Sequence, residues 1–186
     1  ETVCAKQSDN IYTDKNNLFS ITLPEEFKGT YEVKLEKNKI SIFHKESKNA
    51  GFGGFVFGIK AYKNPADHAV LPGSRKLGEL VDKKGRLYDI VLKYPTDVQY
   101  DYTACPEAPE SYKQLYDTGK VVNIEGINGS TYYKEQGTKG KDLYQDILKK
   151  HITSIKEKWD SIKLEQEEMS YMYNLTDKIG YIFYDT

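Results

Sequence analysis

The fold is decided first by the segment Phe19-Ser20-Ile21-Thr22-Leu23-Pro24 and by the alternation that follows it. Apolar side chains recur there at every second residue, and a period of two places them on one face of a strand. Pro24 ends this strand because its nitrogen cannot donate to a ladder. The same alternation returns at Tyr31, Val33 and Leu35, and again at Phe55, Phe57 and Ile59. We therefore predict antiparallel strands with one face in a core and the other in solvent.

Turn signals divide the region up to residue 94 into hairpins. Lys37-Asn38 separates predicted strands at residues 30–36 and 40–44, and Asp82-Lys83-Lys84-Gly85 separates strands at 76–81 and 86–94. A polar loop is expected at residues 47–51, before the strongest strand at residues 53–62. In the strand at 86–94, Tyr88, Ile90, Leu92 and Tyr94 are expected to share a face. The region predicts one sheet of about five to seven strands.

The apolar period changes after residue 100. A shorter helix is predicted to start at residues 106–110, where proline and acidic residues suit a first turn, and Tyr112, Leu115 and Tyr116 follow at helical spacing. The glycine-containing stretch at residues 119–140 is ambiguous, and a long C-terminal helix is predicted from Lys141. Its apolar stripe is Leu143, Ile147, Leu148, His151, Ile152, Ile155, Trp159 and Ile162. The predicted class is α+β, an antiparallel β-sheet packed against this helix plus the shorter one.

Three segments follow from these patterns. Residues 1–10 form an N-terminal arm, and residues 11–140 form the α+β sheet domain. Residues 141–186 hold the long helix and an apolar tail, which either packs on the sheet or leads to a further domain. A chain of 186 residues is long enough to form a hydrophobic core that needs no disulfide or bound metal to be stable.

The charge balance excludes some classes of partner. Lys and Arg number 27 against 28 Asp and Glu, a net charge of −1. Such a balance gives no long-range field to recruit nucleic acid or an anionic membrane. No apolar run approaches the roughly 18 residues of a membrane-spanning helix, so no transmembrane segment is expected.

The chain begins with Glu1 rather than Met, which favours a processed, exported form that is secreted or anchored at the cell surface. Cys4 and Cys105 are compatible with that location. They could form a disulfide, which would add on the order of 4 kcal/mol by constraining the unfolded chain. Two alternatives remain open: both thiols stay reduced, or Cys4 is lipidated, although Thr2-Val3 matches a lipobox poorly.

Two family resemblances can be stated on these residues. Residues 11–118, with the segment at 19–24, a strand meander and a later helix, resemble the PsbP/Mog1-like group. The resemblance implies an antiparallel sheet flanked by helices, and its bacterial members are often small exported lipoproteins. The group shares a fold but no common activity, so no catalytic residues carry over.

The second resemblance is local to the C-terminal part. The segments at 143–160, 169–173 and 180–185 are similar to uncharacterised secreted proteins of gut Firmicutes. In those proteins a similar tail often continues into an acidic segment that resembles a calcium loop. The resemblance implies further sequence beyond Thr186, and Asp185 alone cannot hold an ion that wants six to eight oxygens.

Catalytic and metal chemistry finds little support in the sequence. His44, His68 and His151 are far apart, without metal-ligand spacing, and we expect neither metal nor cofactor. Cys105 has no family signature around it, and the chain lacks the G-x-S-x-G turn of serine hydrolases. The glycine-rich run at residues 51–55 leads into a strand rather than a helix, so it suits a bulge better than a phosphate cradle. No catalytic residue is assigned.

The best candidate for a ligand-binding site is the loop at residues 94–102. Loops at strand ends often carry binding residues, and polar groups among aromatics suit a carbohydrate or a peptide. The alternative is that Thr96 and Asp97 only cap a turn. The candidate residues are Tyr94, Asp97, Gln99, Tyr100, Asp101 and Tyr102.

The sequence predicts an exported or cell-surface protein, and the two resemblances imply a bacterial one. Its expected role is that of a non-catalytic accessory module that binds an extracellular peptide, protein or glycan. One alternative is an extracellular hydrolase of glycans or peptides. Another is a structural spacer beside a downstream domain.

Overall fold

The structure is a computed structural model that describes residues 10–63, 67, 71–104, 106–135 and 140–162. Within these ranges it has nine strands and three helices. The strands are β1 (Ile11–Thr13), β2 (Phe19–Thr22), β3 (Tyr31–Glu36), β4 (Lys39–His44), β5 (Phe55–Tyr62), β6 (Ser74–Val81), β7 (Leu87–Lys93), β8 (Asn123–Gly126) and β9 (Thr131–Lys134). The helices are α1 (Lys45–Asn49), α2 (Glu110–Val121) and α3 (Gly140–Ile162). The predicted α+β class is confirmed.

The strands form two antiparallel sheets. The larger has six strands in the order β3-β4-β5-β7-β6-β9, and the smaller has three in the order β1-β2-β8. The expectation that the strand at residue 19 belongs to one sheet with the following strands is therefore wrong. Pro24 and the 3₁₀ turn Glu25–Phe27 separate β2 from β3, and the chain passes there from the smaller sheet to the larger.

A single core lies between the two sheets and α2. The smaller sheet contributes Phe19 and Ile21, both fully buried, while α2 contributes Tyr112 and Leu115. The predicted shared face of β7 is confirmed, because its alternate residues all take part in this core. The core side chains of the larger sheet include Ile40, Ile42, Phe57, Ile59, Leu80, Tyr88, Ile90 and Leu92, with Tyr94 packed against them just after β7.

Helix α2 packs unusually close to strand β5. A Cβ built on Gly119 would lie 2.9 Å from Tyr94 Oη and 3.0 Å from Phe57 Cγ. Real Cβ atoms tolerate such distances only when a neighbour moves, and Phe57 is fully buried. The missing side chain at Gly119 is thus what allows this end of α2 to rest on the sheet.

The polar loop expected at residues 47–51 is largely wrong, because helix α1 covers residues 45–49. His44 occupies the N-cap position, and its ring accepts the backbone N–H of Ser47. Polar residues dominate the segment, which resembles a loop by composition. The cap is supplied by a histidine rather than by Ser, Thr, Asp or Asn, so the usual start signal was absent.

Helix α3 confirms the helical period from residue 141, and it contacts the end of the larger sheet where β6 and β9 meet. Lys150 Nζ donates to Thr131 Oγ1 at 2.8 Å and to the Val81 carbonyl at 3.4 Å. The apolar side chains described in α3 are half-buried and lie outside the core. Among the side chains that the structure describes, those of α2 enter the core and those of α3 do not.

Several predictions fall outside the described residues. These are the disulfide between Cys4 and Cys105, the role of His68, the N-terminal arm up to residue 9, and the apolar tail at residues 179–184. The C-terminal resemblance rests largely on the same part of the chain. They stay predictions.

Candidate functional site

The structure places the tyrosines of the predicted loop mainly against α2. The Tyr94 ring stacks on that of Tyr116, with centroids 4.1 Å apart. Its hydroxyl donates to the Tyr116 carbonyl at 3.0 Å. Burial raises the pKa of Tyr94 to about 12, since the phenolate is poorly solvated there. Tyr94 therefore anchors the loop on the helix instead of facing a ligand.

Tyr100 and Gln99 also hold the loop to the rest of the fold. The Tyr100 ring lies 5.4 Å from the Tyr112 ring, centroid to centroid. The Gln99 carbonyl accepts the backbone N–H of Gly54 at 3.1 Å. Tyr112 in turn donates its hydroxyl to the Phe55 carbonyl at 2.7 Å. These contacts tie the loop, α2 and the start of β5 into one packed unit.

Asp101 closes a local turn. One of its carboxylate oxygens accepts the hydroxyl and backbone N–H of Thr103 and the backbone N–H of Ala104. These hydrogen bonds, that of the Thr103 hydroxyl first, hold the pKa of Asp101 below its usual range. Asp97 is exposed and Tyr102 is 59% exposed. Of the six predicted residues, these two are the ones with open surfaces.

A shallow depression of about 310 Å³ lies on the same side of α2. Its lining consists of Ala108, Tyr112, Lys113, Tyr116 and Asp117. Tyr112 is only 5% exposed, so its ring cannot serve as a broad stacking platform. This depression offers limited area to a ligand.

A larger groove lies at the other end of α2, where the sequence analysis predicted no site. It measures about 450 Å³. Its origin is the pair β8 and β9, which are consecutive in the chain but belong to different sheets. They diverge from the turn at Asn128-Gly129, whose residues both have positive φ. We call this feature the hairpin groove; its lining is Arg75, Leu77, Lys120, Val121, Val122, Asn123, Ile124, Tyr132, Lys134 and Glu135.

The floor of the hairpin groove is an uncovered end of the core. Leu77, Val122 and Tyr132 are half-buried and pack against core residues. The Tyr132 hydroxyl donates to the Leu77 carbonyl at 3.1 Å, and burial raises its pKa to about 12. Val121 stands beside them with 82% of its surface exposed. An apolar floor of this kind favours an apolar ligand group because water leaves both surfaces on binding.

The rim of the hairpin groove is mainly basic. Arg75, Lys120 and Lys134 come from β6, α2 and β9, and Glu135 is the one acidic residue in the lining. Lys120 Nζ lies 2.7 Å from an Asp117 carboxylate oxygen, and both side chains are more than half exposed. Such a pair contributes little stability because solvent screens it.

One Ser–His arrangement among the described residues resembles hydrolase geometry at first sight. His44 Nε2 lies 2.8 Å from Ser111 Oγ, and His44 Nδ1 lies 2.8 Å from Ser47 Oγ. Because Nδ1 also accepts the Ser47 backbone N–H, the neutral ring carries its proton on Nε2 and donates to Ser111. A general base acting on Ser111 needs the opposite tautomer, and Ser47, which lies at the unprotonated Nδ1, is only 4% exposed. His44 is 1% exposed, so its role here is to link α1 to α2.

Burial also keeps this histidine neutral. It lowers the pKa of His44, against the smaller opposing influence of the Glu46 charge. The sequence alone indicated no role for His44. Its ring contacts Ser47, three residues away, and Ser111, which is 67 residues away in the chain. No local motif encodes that contact.

In the part of the chain that the structure describes, no three His, Cys, Asp or Glu side chains converge as ligands for a metal ion. None of the described helices has the length and apolarity to cross a membrane.

Comparison of the chain with family models, with curated proteins and with solved structures found no match. The resemblance to the PsbP/Mog1-like group therefore stays an expectation.

Proposed function

We propose that the protein is a non-catalytic accessory module that binds a peptide segment of a partner protein in the hairpin groove. The observation that carries the proposal is the exposed apolar floor, with Val121 82% exposed beside half-buried Leu77 and Tyr132. A groove of about 450 Å³ lies within the usual size range of ligand sites. It can hold one or two side chains of an extended peptide.

The chemistry of the floor favours a peptide over a glycan. Sugars bind mainly through aromatic stacking and dense hydrogen bonding, whereas four of the five apolar lining residues are aliphatic. Tyr132, the aromatic one, already uses its hydroxyl on Leu77. Aliphatic peptide side chains gain about 25 cal/mol for each Å² that they bury against such a surface.

The expected location outside the cytoplasm belongs to the same proposal. It is supported by the resemblance of residues 11–118 to a group with many exported members. An accessory module at the cell surface would hold its partner through a groove of this kind without changing it chemically.

The test is selection of peptides from a random display library on the wild-type protein, followed by binding to two matched variants. Val121→Asp places a charge on the groove floor, while Val98→Asp does the same on the loop at residues 94–102, where Val98 is 50% exposed. We expect selected peptides to lose binding to Val121→Asp and to keep it with Val98→Asp. The reverse pattern would move the site to the loop.

The alternatives give different results in the same experiment. The hydrolase alternative predicts that selected peptides are cleaved during incubation, which mass spectrometry detects. The spacer alternative predicts that selection enriches no peptide above an unrelated control protein. Peptides that bind both variants equally would contradict a site at either place.

A further inference from the structure

We infer that the hairpin groove selects acidic peptides, in which a carboxylate stands next to an apolar side chain. This inference rests on the proposed function and names the chemical class of its ligand. It depends on the combination of an apolar floor with a rim that carries three cations and one carboxylate. The chain as a whole has no such excess of positive charge, since its net charge is −1.

The cations surround the floor from separate elements. Arg75 projects from β6, Lys120 from the last turn of α2, and Lys134 from the end of β9. Arg75 opposes Leu92 in the β6–β7 register, and Lys134 opposes Gly78, the partner of Ile90. Leu92 and Ile90 are core residues, so Arg75 and Lys134 lie on the face of the larger sheet that points to the core. They lie at the edge of the region that α2 and the smaller sheet cover.

Arg75 is the strongest anchor for a carboxylate. It is exposed, and it forms no ion pair or side-chain hydrogen bond with any residue in the described ranges. A guanidinium presents a planar fork of donors that matches the two oxygens of a carboxylate. A ligand carboxylate that binds Arg75 therefore displaces no ion pair between Arg75 and another described residue.

The acidic residues around the groove do not cancel this charge. Glu135 is in the lining, and Asp117 pairs with Lys120 at the solvent-exposed end of α2. Counting both acids leaves three cations against two carboxylates, and the Lys120–Asp117 pair is open to exchange with a ligand. The net charge of these five side chains is therefore positive.

Exclusion of basic ligands follows from the same arrangement. A lysine or arginine on the peptide would approach Arg75 and Lys134 across an apolar floor, where screening is weaker than in bulk water. Like-charge contacts of this kind suppress wrong partners more than they change the best affinity. The groove therefore discriminates by charge and holds by apolar contact.

The test uses three pools of fluorescein-labelled peptides. Each pool has a central apolar residue, varied over Val, Leu, Ile and Phe, and flanking positions that are all glutamate, all glutamine or all lysine. Fluorescence anisotropy measures binding to the full chain. At low salt we expect the glutamate pool to bind about tenfold more tightly than the glutamine pool, and the lysine pool more weakly still. Added salt should narrow the difference.

Variants with reversed charge test the inference more directly. The double variant Arg75→Glu with Lys134→Glu should weaken the glutamate pool and strengthen the lysine pool, which a merely unfolded protein cannot do. The matched control is Lys34→Glu, an exposed strand lysine on β3, outside the groove lining. We expect this control to leave the order of the three pools unchanged.

The outcomes separate the inference from the proposed function. Equal binding of the glutamate and glutamine pools, both lost in Val121→Asp, would overturn the charge preference and leave peptide binding standing. Binding of no pool would contradict the peptide proposal itself. A preference for glutamate that survives the double variant would show that the anion binds elsewhere, which also overturns the inference.

Discussion

Asp14 Oδ2 accepts the backbone N–H of Asn38 at 3.1 Å and so joins the β1–β2 hairpin of the smaller sheet to the β3–β4 hairpin of the larger one. Its two oxygens also accept the backbone N–H groups of Asn16, Leu18 and Phe19. Asp14 is 1% exposed. A buried carboxylate with four backbone donors organises both turns at once, and the hydrogen bonds from Leu18 and Phe19 are themselves buried.

Asp14→Ala should therefore destabilise the protein by about 3 kcal/mol, since it removes the acceptor of the two buried N–H groups of Leu18 and Phe19. Urea unfolding followed by fluorescence measures the change. Asp101→Ala is the matched control, because Asp101 also accepts backbone N–H groups but does so on an exposed turn. Equal losses in the two variants would contradict the bridging role of Asp14.

His44 makes stability depend on pH. Burial holds its pKa below the usual range, so between that depressed value and its ordinary value of about 6.5 the unfolded chain binds more protons than the folded one. Stability is therefore fully present above about pH 6.5 and falls as the pH drops through that window.

The comparison is urea unfolding at about pH 7.5 and about pH 5.5, above the range where most carboxylates titrate. His44→Asn keeps a side chain that can cap α1 but cannot titrate, so it should lose less stability on acidification than the wild type. His151→Asn serves as the control, since His151 is exposed on α3. An unchanged pH response in His44→Asn would contradict the assignment.

Gly119→Ala should lower stability although alanine is the better helix former. Propensity favours alanine by about 1 kcal/mol. Overpacking against Phe57 and Tyr94 costs about 1–3 kcal/mol, which leaves a net loss of about 1 kcal/mol. Gln114→Ala, at an exposed position of the same helix, should be close to neutral in the same thermal or urea measurement. A stabilised Gly119→Ala would mean that α2 has room to move from β5.

Two tyrosines of the loop at residues 94–102 should differ in what they contribute to stability. Tyr94→Phe removes the hydrogen bond to the Tyr116 carbonyl and should cost about 1 kcal/mol of stability. Tyr102→Ala should change stability by about 0.5 kcal/mol or less, since the side chain is 59% exposed. If Tyr94→Phe is as neutral as Tyr102→Ala, the loop is not anchored as described.

Strong local patterns predicted their elements well. The alternation of Tyr88, Ile90 and Leu92 indicated both the strand and its buried face, and the structure confirms both. The turn at Asp82-Lys83-Lys84-Gly85 was likewise predicted, because Gly85 supplies a positive φ there. Such signals are local, since each depends on residues within one or two turns of chain.

The candidate site was predicted only in part. The loop at residues 94–102 does lie at the end of a core strand, but the rings of Tyr94 and Tyr100 pack against tyrosines of α2. The hairpin groove was missed because β8 and β9 have four residues each and few apolar side chains. Asn128-Gly129 was the available signal for the turn, since both residues adopt positive φ readily, but it does not indicate that β8 and β9 join different sheets.

The sequence by itself determined the α+β class, most strands of the larger sheet and the start of the long helix, because periodicity and turn chemistry act over a few residues. Only the tertiary structure decided that β2 pairs with β8 and that β9 joins β6. Those pairings connect Phe19 to Gly126 and Gly78 to Lys134, across more than fifty residues of chain. The hairpin groove exists because of them, since global burial of the core, rather than any local preference, selects which distant edges meet.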